Sequence, residues 1–482
     1  MFTPSHADLV AIAPEIILSA AAGVVLLVEA FLPRVRRYLS EITILAVGAA
    51  MWARLSFELP GAVWSGALRI DRLASFVDLY ILLALLLTVW MAGPFLRRSE
   101  ADHGEFYALL LLSSVGAMVM ASSVNLLLVF LGFELLSIPL YVLNAFFRRH
   151  EVSVEAGLKY FIVGAFASAF VVYGIALLYG ATASTDISAI ASQVVSAGSL
   201  NPLLAVGIAM VVGGLAFKLA LVPFHTWAPD VYQGSPTPVT AFLSVVPKGA
   251  ALVVLLRMVE GMDLLHISPR WVLAAGVMAV ASQFLGNIVA IVQRDVKRML
   301  AYSGIAHMGY ALVAVIVGGS DGGSAVLVYL AAYTLMNMGA FACIAMLSER
   351  EDRPHLISDL TGQGYERPVA ALAFTICLFS LSGVPPFVGF TAKFAVFRAA
   401  VNEGFIWLAV LGVLNSLISA FYYLRVIYVM YMHRLPKRAP EFQFSLPIAA
   451  VAALAALGVL LLGIFPTVVI SAAQSAILGL VR

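Results

Sequence analysis

The chain alternates between apolar stretches and short joints that carry charged residues, glycine or proline. A helix of about 20 apolar residues is long enough to cross the hydrocarbon core of a bilayer. The pattern predicts about fourteen such spans, near residues 9–32, 38–57, 73–93, 106–121, 124–147, 155–181, 201–232, 237–259, 270–292, 298–318, 323–347, 368–402, 405–432 and 445–475. We therefore expect an all-α polytopic membrane protein.

Two of these windows, 201–232 and 368–402, are longer than one span needs and contain helix breakers. Proline removes a backbone donor and clashes with the preceding helical turn, so each window is predicted to be a broken helix. The breakers are Pro223 and Pro229 in the first window, and Gly383, Pro385, Pro386 and Gly389 in the second.

The broken windows predict an internal repeat, because each is the fourth helix in a run of five. Five is an odd number, so the second run enters the membrane from the opposite side, as in the inverted repeats of transporters. The predicted organisation is a three-helix segment at 1–105, a first inverted repeat at 106–259, a second at 260–432 and a C-terminal helix at 433–482.

Composition agrees with a membrane protein. The 482 residues are 62% hydrophobic and 11% charged, with a mean hydropathy of +1.01, far from the composition of a soluble domain. The lipid bilayer is the expected surrounding, and no basic run interleaved with aromatic residues indicates a nucleic acid partner. Cys343 and Cys377 lack CxxC spacing, so we expect no metal site and no iron–sulfur cluster in this chain.

Charge in the joints predicts the orientation. One alternate set of joints is rich in arginine and lysine, and the positive-inside rule places that set in the cytoplasm. The other set, together with the termini, holds only Arg69, Arg72, Arg257, Arg270 and Arg482. Both termini are therefore expected on the outer, periplasmic side of a bacterial inner membrane.

Five ionisable side chains fall inside otherwise apolar windows: Glu134, Lys159, Lys218, Lys248 and Lys393. On insertion scales a charge at the bilayer centre costs roughly 2.5 to 3.5 kcal/mol. These side chains must therefore face one another, water or a functional path.

Glu134 lies near the middle of its span, and Lys218 is its expected partner. The helix break after Lys218 can admit water and free backbone carbonyls to solvate an ammonium group. Two unit charges 4 Å apart attract by about 4 kcal/mol at an effective dielectric constant of 20. Moving Glu134 would then loosen the lysine's hold on its proton. Our hypothesis is a lateral proton relay from Lys218 to Lys248 to Lys393, gated electrostatically by Glu134.

Each of these buried charges also has an interpretation that is purely structural. Glu134 and Lys218 can form a pair that only holds two helices together, and Lys248 can likewise be structural. Lys159 and Lys393 lie nearer to the ends of their spans, where a lysine can extend to the lipid headgroups.

Two histidines are further candidates for the relay. His225 and His307 lie in membrane segments, where each can pass a proton or simply form an interhelical hydrogen bond. A water path can be lined by Tyr302, Ser303, Tyr310, Tyr333, Asn337, Asn415, Ser416 and Ser419, although such residues also serve to join helices.

Four stretches of sequence carry a family resemblance: DVKRMLAYSGIAHMGY (295–310), FKLALVPFHTWAPDVYQGSPTPV (217–239), SGVPPFVGF (382–390) and FLGFELLSIPLY (130–141). Together they resemble the antiporter-like proton-channel subunits of respiratory complex I, the NADH:quinone oxidoreductase. The resemblance implies that Glu134 and Lys218 form the charged pair, Lys248 is the central relay and Lys393 is the outer terminal group. Lys159 matches a further lysine of the family.

The resemblance also implies the partners. These are other complex I membrane subunits, including homologous antiporter-like ones, while NAD, FMN, iron–sulfur clusters and quinone belong to partner subunits. No cofactor is expected in this chain. Subunits of multi-component sodium/proton antiporters share the fold and much of the pattern, so that function is the alternative. A passive structural subunit is a third reading.

Overall fold

The computed structural model describes residues 5–32, 34–57, 59–197, 201–262, 264, 269–347, 352, 356–433 and 445–478. Arg482 lies outside the described residues. The α-helices are α1 (His6–Ala11), α2 (Ala13–Phe31), α3 (Leu39–Ser56), α4 (Arg72–Arg98), α5 (Gly104–Ser122), α6 (Leu126–Asn144), α7 (Glu151–Thr182), α8 (Ile187–Ala197), α9 (Pro202–Leu219), α10 (Trp227–Gly234), α11 (Thr237–Gly261), α12 (Pro269–Val292), α13 (Val296–Val317), α14 (Gly319–Met346), α15 (Gln363–Glu366), α16 (Pro368–Ser382), α17 (Val388–Asn402), α18 (Ile406–Met432), α19 (Leu446–Ile464) and α20 (Thr467–Ile477).

The all-α membrane fold is confirmed. Among the described residues, thirteen helices are long and apolar enough to cross a membrane. The remaining predicted span, 368–402, consists of α16, an apolar helix of 15 residues, and α17, a second helix of 15 residues, and each is too short to cross alone. The predicted count of about fourteen therefore holds when this broken pair is taken as one span.

Both predicted helix breaks are present. The first separates α9 from α10, where Ala220 adopts a left-handed conformation with φ of 55° and Pro223 follows. The second separates α16 from α17, where Gly383 has φ of 88° and two prolines follow. Pro229 is not part of the first break, because it lies in the first turn of α10, where a missing backbone donor is tolerated.

Several elements lie outside the predicted pattern. The first window is divided into α1 and α2, and the last into α19 and α20. A two-stranded antiparallel hairpin joins α3 to α4, with β1 (Gly61–Val63) paired to β2 (Leu68–Ile70). The short helix α8 forms part of the connection from α7 to α9. Two 3₁₀ turns, Arg36–Tyr38 and Ile357–Leu360, precede α3 and α15.

The buried centre of the molecule consists of α11, α13 and α14, whose apolar residues are enclosed on nearly every side. Helices that are apolar all round are expected in such a position. The outer helices α6 and α7 instead expose large apolar side chains such as Leu131, Phe166 and Phe170. Lys248 lies on α11 and therefore belongs to the dry centre.

The order of helices agrees with two runs of five. The first run is α5, α6, α7, the broken pair α9 and α10, and α11. The second is α12, α13, α14, the broken pair α16 and α17, and α18. Each broken pair is the fourth member. The inverted relation between the runs, and the domain bounds, remain predictions.

Candidate functional site

Lys218 lies in the last turn of α9 and is completely buried. Its Nζ donates a hydrogen bond to the hydroxyl of Tyr160 on α7, at 3.0 Å. Aromatic rings enclose the ammonium group, with Nζ lying 4.9 Å from the Phe133 centroid, 5.1 Å from Tyr160 and 5.9 Å from Tyr141. A cation over aromatic faces is stabilised by the ring quadrupoles, more so when water is excluded. We call Phe133, Tyr141 and Tyr160 the aromatic cage.

Glu134 lies on α6, one residue after the cage residue Phe133. It acts electrostatically on Lys218, but the two side chains form no ion pair within 4.0 Å in the described part of the chain. The two groups are therefore coupled through space without a direct contact, and their role as the charged pair remains a prediction. Glu134 is only partly buried, between the exposed side chains of Leu131 and Leu135, whereas Lys218 points into the cage. Its Oε1 is nevertheless shielded from solvent and has no hydrogen-bond partner among the described residues.

At the first helix break, the indole ring of Trp227 binds the end of α9. Trp227, at the start of α10, donates its Nε1 hydrogen to the carbonyl of Phe217 at 3.0 Å, and this carbonyl also accepts from the Ala220 backbone N–H at the end of α9. Aromatic contacts continue towards Lys248: Tyr160 and Trp227 have ring centroids 4.7 Å apart, and Trp227 and Tyr232 6.4 Å apart. The Lys248 Nζ lies 5.6 Å from the Tyr232 ring. The space between the two lysines is thus mainly aromatic.

Lys248 follows Pro247 near the middle of α11 and is 1% exposed. Its Nζ has no hydrogen-bond partner within the described residues. The position that a Cβ would occupy on Gly304 of α13 lies 3.0 Å from this Nζ and 2.9 Å from the Tyr333 hydroxyl. Lys248 and Tyr333 therefore both approach the backbone of Gly304, where a larger residue would crowd them.

His307 lies on α13 at the centre of a hydroxyl network. Its Nδ1 is 2.6 Å from the Tyr329 hydroxyl, and its Nε2 is 3.2 Å from the Tyr423 hydroxyl. The Tyr423 hydroxyl is also 2.5 Å from the Ser303 Oγ. The imidazole also packs against the Tyr333 ring, with ring centroids 5.2 Å apart and the ring planes tilted by 43°. The histidine thus connects the surroundings of Lys248 to α18.

The same network continues towards Lys393. Tyr422, next to Tyr423 on α18, donates to the Asn287 Oδ1 at 3.1 Å. Asn287 in turn donates from Nδ2 to the Tyr310 hydroxyl at 3.2 Å. The Lys393 Nζ lies 5.1 Å from the Tyr310 ring. Buried hydroxyl, amide and imidazole groups therefore follow one another from Lys248 to Lys393.

Lys393 lies on α17, after the second break, and is 4% exposed. Its Nζ donates to the carbonyl of Ser382 and to the Oγ of Ser416, both at 2.9 Å. The Ser382 carbonyl is available because α16 ends there and Gly383 turns the chain away. The break thus supplies a ligand for the ammonium group, as expected for a broken membrane helix.

Lys159 lies apart from the other lysines. Its Nζ forms ion pairs with Asp230 at 2.6 Å and Glu155 at 2.7 Å, and its side chain is 42% exposed. Asp230 on α10 also pairs with Arg298 on α13. Lys159 therefore belongs to an ionic cluster at one end of α7 and not to the buried chain.

The two candidate histidines also differ. His307 belongs to the buried network, whereas His225 lies in the turn between α9 and α10 and is only partly buried. Its Nδ1 has no hydrogen-bond partner within the described residues. The structure therefore brings together Lys248, His307 and Lys393 and leaves His225 outside this network.

Sequence reasoning missed much of this site. The aromatic cage, Tyr329, Asn287, Tyr422 and Tyr423 were not candidates, although Ser303, Tyr310, Tyr333 and Ser416 were. One signal was available, because a buried tyrosine in an apolar helix needs a partner for its hydroxyl. The sequence contains many such tyrosines, but it does not show which of their hydroxyls contact one another or the other polar groups.

The comparisons with known proteins agree with this geometry. The family model described as "NADH:quinone oxidoreductase/Mrp antiporter, TM" matches residues 123–419. The NADH-quinone oxidoreductase subunit N of Trichlorobacter lovleyi is 41% identical over 473 residues, covering 97% of this chain and 96% of that protein. The subunit N of Coxiella burnetii is 40% identical over 462 residues, covering 94% and 95%.

Solved structures give the same result. A chain of respiratory complex I from Thermus thermophilus superposes with a TM-score of 0.82 at 34% identity, covering 96% of this chain and all of that one. A chain of the Mrp complex from Dietzia has a TM-score of 0.84 but only 21% identity, covering 99% and 98%, which shows a common fold.

The fold and the buried lysines on interrupted helices define an antiporter-like membrane subunit. The family match covers more than half of the chain, and the relatives match over nearly its full length. The chain belongs to the NADH:quinone oxidoreductase/Mrp antiporter family, in its NADH-quinone oxidoreductase subunit N group.

Proposed function

We propose that this chain is a proton-translocating membrane subunit of NADH:quinone oxidoreductase, and that protons pass through it along Lys218, Lys248 and Lys393. The observation that carries this proposal is the series of buried imidazole, hydroxyl and amide groups that lies between Lys248 and Lys393. A purely structural pair of lysines would not require an imidazole and several hydroxyls between them. Membership of the subunit N group gives the relay its place in a translocating enzyme.

Glu134 is proposed to control the first step. It lies close enough to Lys218 to act on it electrostatically, yet outside the aromatic cage. A small movement of its carboxylate would change how firmly Lys218 holds its proton, because electrostatic interactions are strong where water is excluded. Glu134 lies among exposed leucines of α6, so a neighbouring membrane subunit could move it.

The step from Lys218 to Lys248 passes Trp227 and Tyr232. The Tyr232 hydroxyl is buried and has no hydrogen-bond partner within the described residues, so it is available to relay a proton. From Lys248 the proton passes Tyr333 and His307, and then the hydroxyls of α18, to Lys393.

Lys393 is proposed to release the proton to the outer side. The positive-inside rule supports an orientation with both termini outside the cytoplasm. Lys159 and His225 remain secondary candidates. Lys159 is more consistent with a cluster that orients α7, α10 and α13, through its pair with Asp230.

The redox chemistry is proposed to occur elsewhere in the complex. NADH oxidation with FMN and iron–sulfur clusters, and quinone reduction, would belong to partner subunits. The exposed apolar faces of α6 and α7 can pack against lipid or against homologous antiporter-like subunits in the membrane.

The experiment is to replace Lys218 by Ala and Glu134 by Gln in the assembled complex. Positioned proton-transfer groups typically contribute roughly a hundredfold or more to a rate. We expect the complex to assemble in both cases but to oxidise NADH and pump protons much more slowly, because coupled steps stall together. NADH oxidation and proton uptake into vesicles measure this.

Arg148→Ala is the control, because its side chain is 81% exposed and its ion pair with Glu105 lies at the surface. Assembled Lys218→Ala complex with normal turnover and proton yield would refute the proposal. Growth that becomes sensitive to sodium while NADH oxidation stays normal would favour the sodium/proton antiporter. The proteins that copurify with this chain provide an independent test.

A further inference from the structure

A second group of buried charges lies in the N-terminal three-helix segment, remote in sequence from the lysine relay. Glu15 is in the first turn of α2, Arg54 in the last turn of α3 and Asp78 in the second turn of α4. Their side chains are 6%, 3% and 0% exposed, respectively. None of the three residues takes part in the proposed relay.

The arginine lies between the two acids. Its Nη2 is 2.8 Å from the Asp78 Oδ2 and 3.5 Å from the Glu15 Oε1, and its Nη1 donates to the carbonyl of Ala11. The Glu15 Oε2 and the Asp78 Oδ1 are buried and have no hydrogen-bond partner within the described residues. One guanidinium group therefore serves two carboxyl groups and leaves part of each unsatisfied.

The other charged groups near Asp78 belong to a second cluster around Asp71. Besides Arg54 and Glu15, the charged groups that act on Asp78 are Asp71 and Arg257. Arg257 on α11 is already paired with Asp71, with contacts of 2.9 and 3.1 Å, and Arg69 approaches Asp71 from β2 at 3.5 Å. Asp71 is thus paired with two arginines: Arg257 balances its charge in the interior, with a side chain that is 2% exposed, whereas the side chain of Arg69 is 42% exposed.

If all three side chains were ionised, Glu15, Arg54 and Asp78 would carry one uncompensated negative charge in a dry interior. An unpaired buried charge is costly, and an ionisable group avoids that cost by binding a proton. Two carboxyl groups that cannot both ionise titrate as one unit and share a proton.

We propose that Glu15 and Asp78 together hold one proton, so that the three N-terminal helices contain a proton-binding site separate from the lysine relay. The ligand is a proton and not a metal cation, because the Arg54 guanidinium already occupies the position between the two carboxylates.

Infrared spectroscopy of the assembled complex tests this site. A protonated carboxyl group has a carbonyl stretching band distinct from that of a carboxylate, and the band shifts in deuterated water. Glu15→Gln and Asp78→Asn are to be prepared separately, and the infrared spectrum of each variant is to be subtracted from that of the unsubstituted complex. We expect at least one of the two variants to lose a single protonated-carboxyl band.

Glu29→Gln is the matched control, because Glu29 lies on the same helix but is paired with Arg36 and His103 at a more exposed position. This variant should leave the band unchanged. Persistence of every protonated-carboxyl band in both Glu15→Gln and Asp78→Asn would overturn the proposal. If a variant does not assemble, Glu15→Asp and Asp78→Glu keep the chemistry, and one of them should move the band. A band unmoved by both would likewise overturn the proposal.

Discussion

The two broken helices place a buried lysine in different surroundings. Lys218 precedes its break, and its ammonium group lies among aromatic rings with one hydroxyl partner. Lys393 follows its break and binds the freed Ser382 carbonyl and the Ser416 hydroxyl. At the first break the Phe217 carbonyl instead accepts a hydrogen bond from the indole of Trp227. The two helix breaks are therefore similar in backbone, but Lys218 is enclosed by aromatic rings whereas Lys393 has polar ligands.

This difference has a consequence for the relay. The region around Lys218 offers few polar atoms, so the charge of that lysine depends strongly on Glu134. The region around Lys393 continues into tyrosine, asparagine and histidine groups, so a proton there has neighbours that can accept it. We infer that the first half of the chain controls the relay and the second half conducts.

The largest effect is expected from replacing Lys393. Lys393→Ala removes the donor to Ser382 and Ser416 and the last titratable group of the path, and we expect proton pumping to fall by roughly a hundredfold or more. Lys393→Glu should be tolerated better, because a carboxyl group can also bind and release a proton. Proton uptake by vesicles that contain each assembled variant measures the difference. Equal losses in the two variants would argue against a proton-handling role for this position.

Removing a single tyrosine hydroxyl should reduce proton pumping less than removing Lys393. The loss should also differ between the half of the relay around Lys218 and the half that leads to Lys393. Tyr423→Phe removes the link between His307 and Ser303, and one neutral hydrogen bond is worth about 1 kcal/mol, or roughly fivefold in rate. Tyr160→Phe removes the hydrogen bond of Lys218 but keeps the ring that stabilises its charge, so we expect a smaller loss of NADH-driven pumping.

Tyr428→Phe is the control for these substitutions, because Tyr428 is 56% exposed on the same helix as Tyr423. If Tyr160→Phe is more damaging than Tyr423→Phe, the division into a controlling half and a conducting half is wrong.

The smallest effect is expected at the gap between Lys248 and Tyr333. Gly304→Ala would place a methyl group 3.0 Å from the Lys248 Nζ and 2.9 Å from the Tyr333 hydroxyl, so the side chains must shift slightly. We expect proton pumping to fall about twofold to fivefold, comparable to one weakened hydrogen bond. In Gly213→Ala the nearest atom is 3.6 Å away, and pumping should be unchanged. Identical rates in the two variants would show that this gap carries no protons.

The sequence predicted what depends on local chemistry. The spans follow from runs of apolar residues, and the breaks follow from Pro223, Gly383 and the prolines after it. The buried lysines could be found because a charge in an apolar helix is costly wherever the helix packs.

What the sequence did not predict depends on packing between distant segments. The aromatic cage joins α6 and α7 around the end of α9, and the hydroxyl network needs residues from four helices. Arg54 and Glu15 lie near the ends of their helices, where charges are ordinary, so nothing indicated that Asp78 would meet them. The separation of Glu134 from Lys218 could not be predicted either, because the direction of each side chain depends on helix rotation.

The most direct test of the account is proton translocation per NADH oxidised by the assembled complex carrying Lys248→Met. This substitution approximately keeps the volume of the buried side chain but removes the lysine that lies between Lys218 and Lys393 in the proposed path. We predict an assembled complex in which NADH oxidation and proton uptake both fall strongly. A Lys248→Met complex with the normal rate and the normal number of protons per NADH would contradict the proposed path.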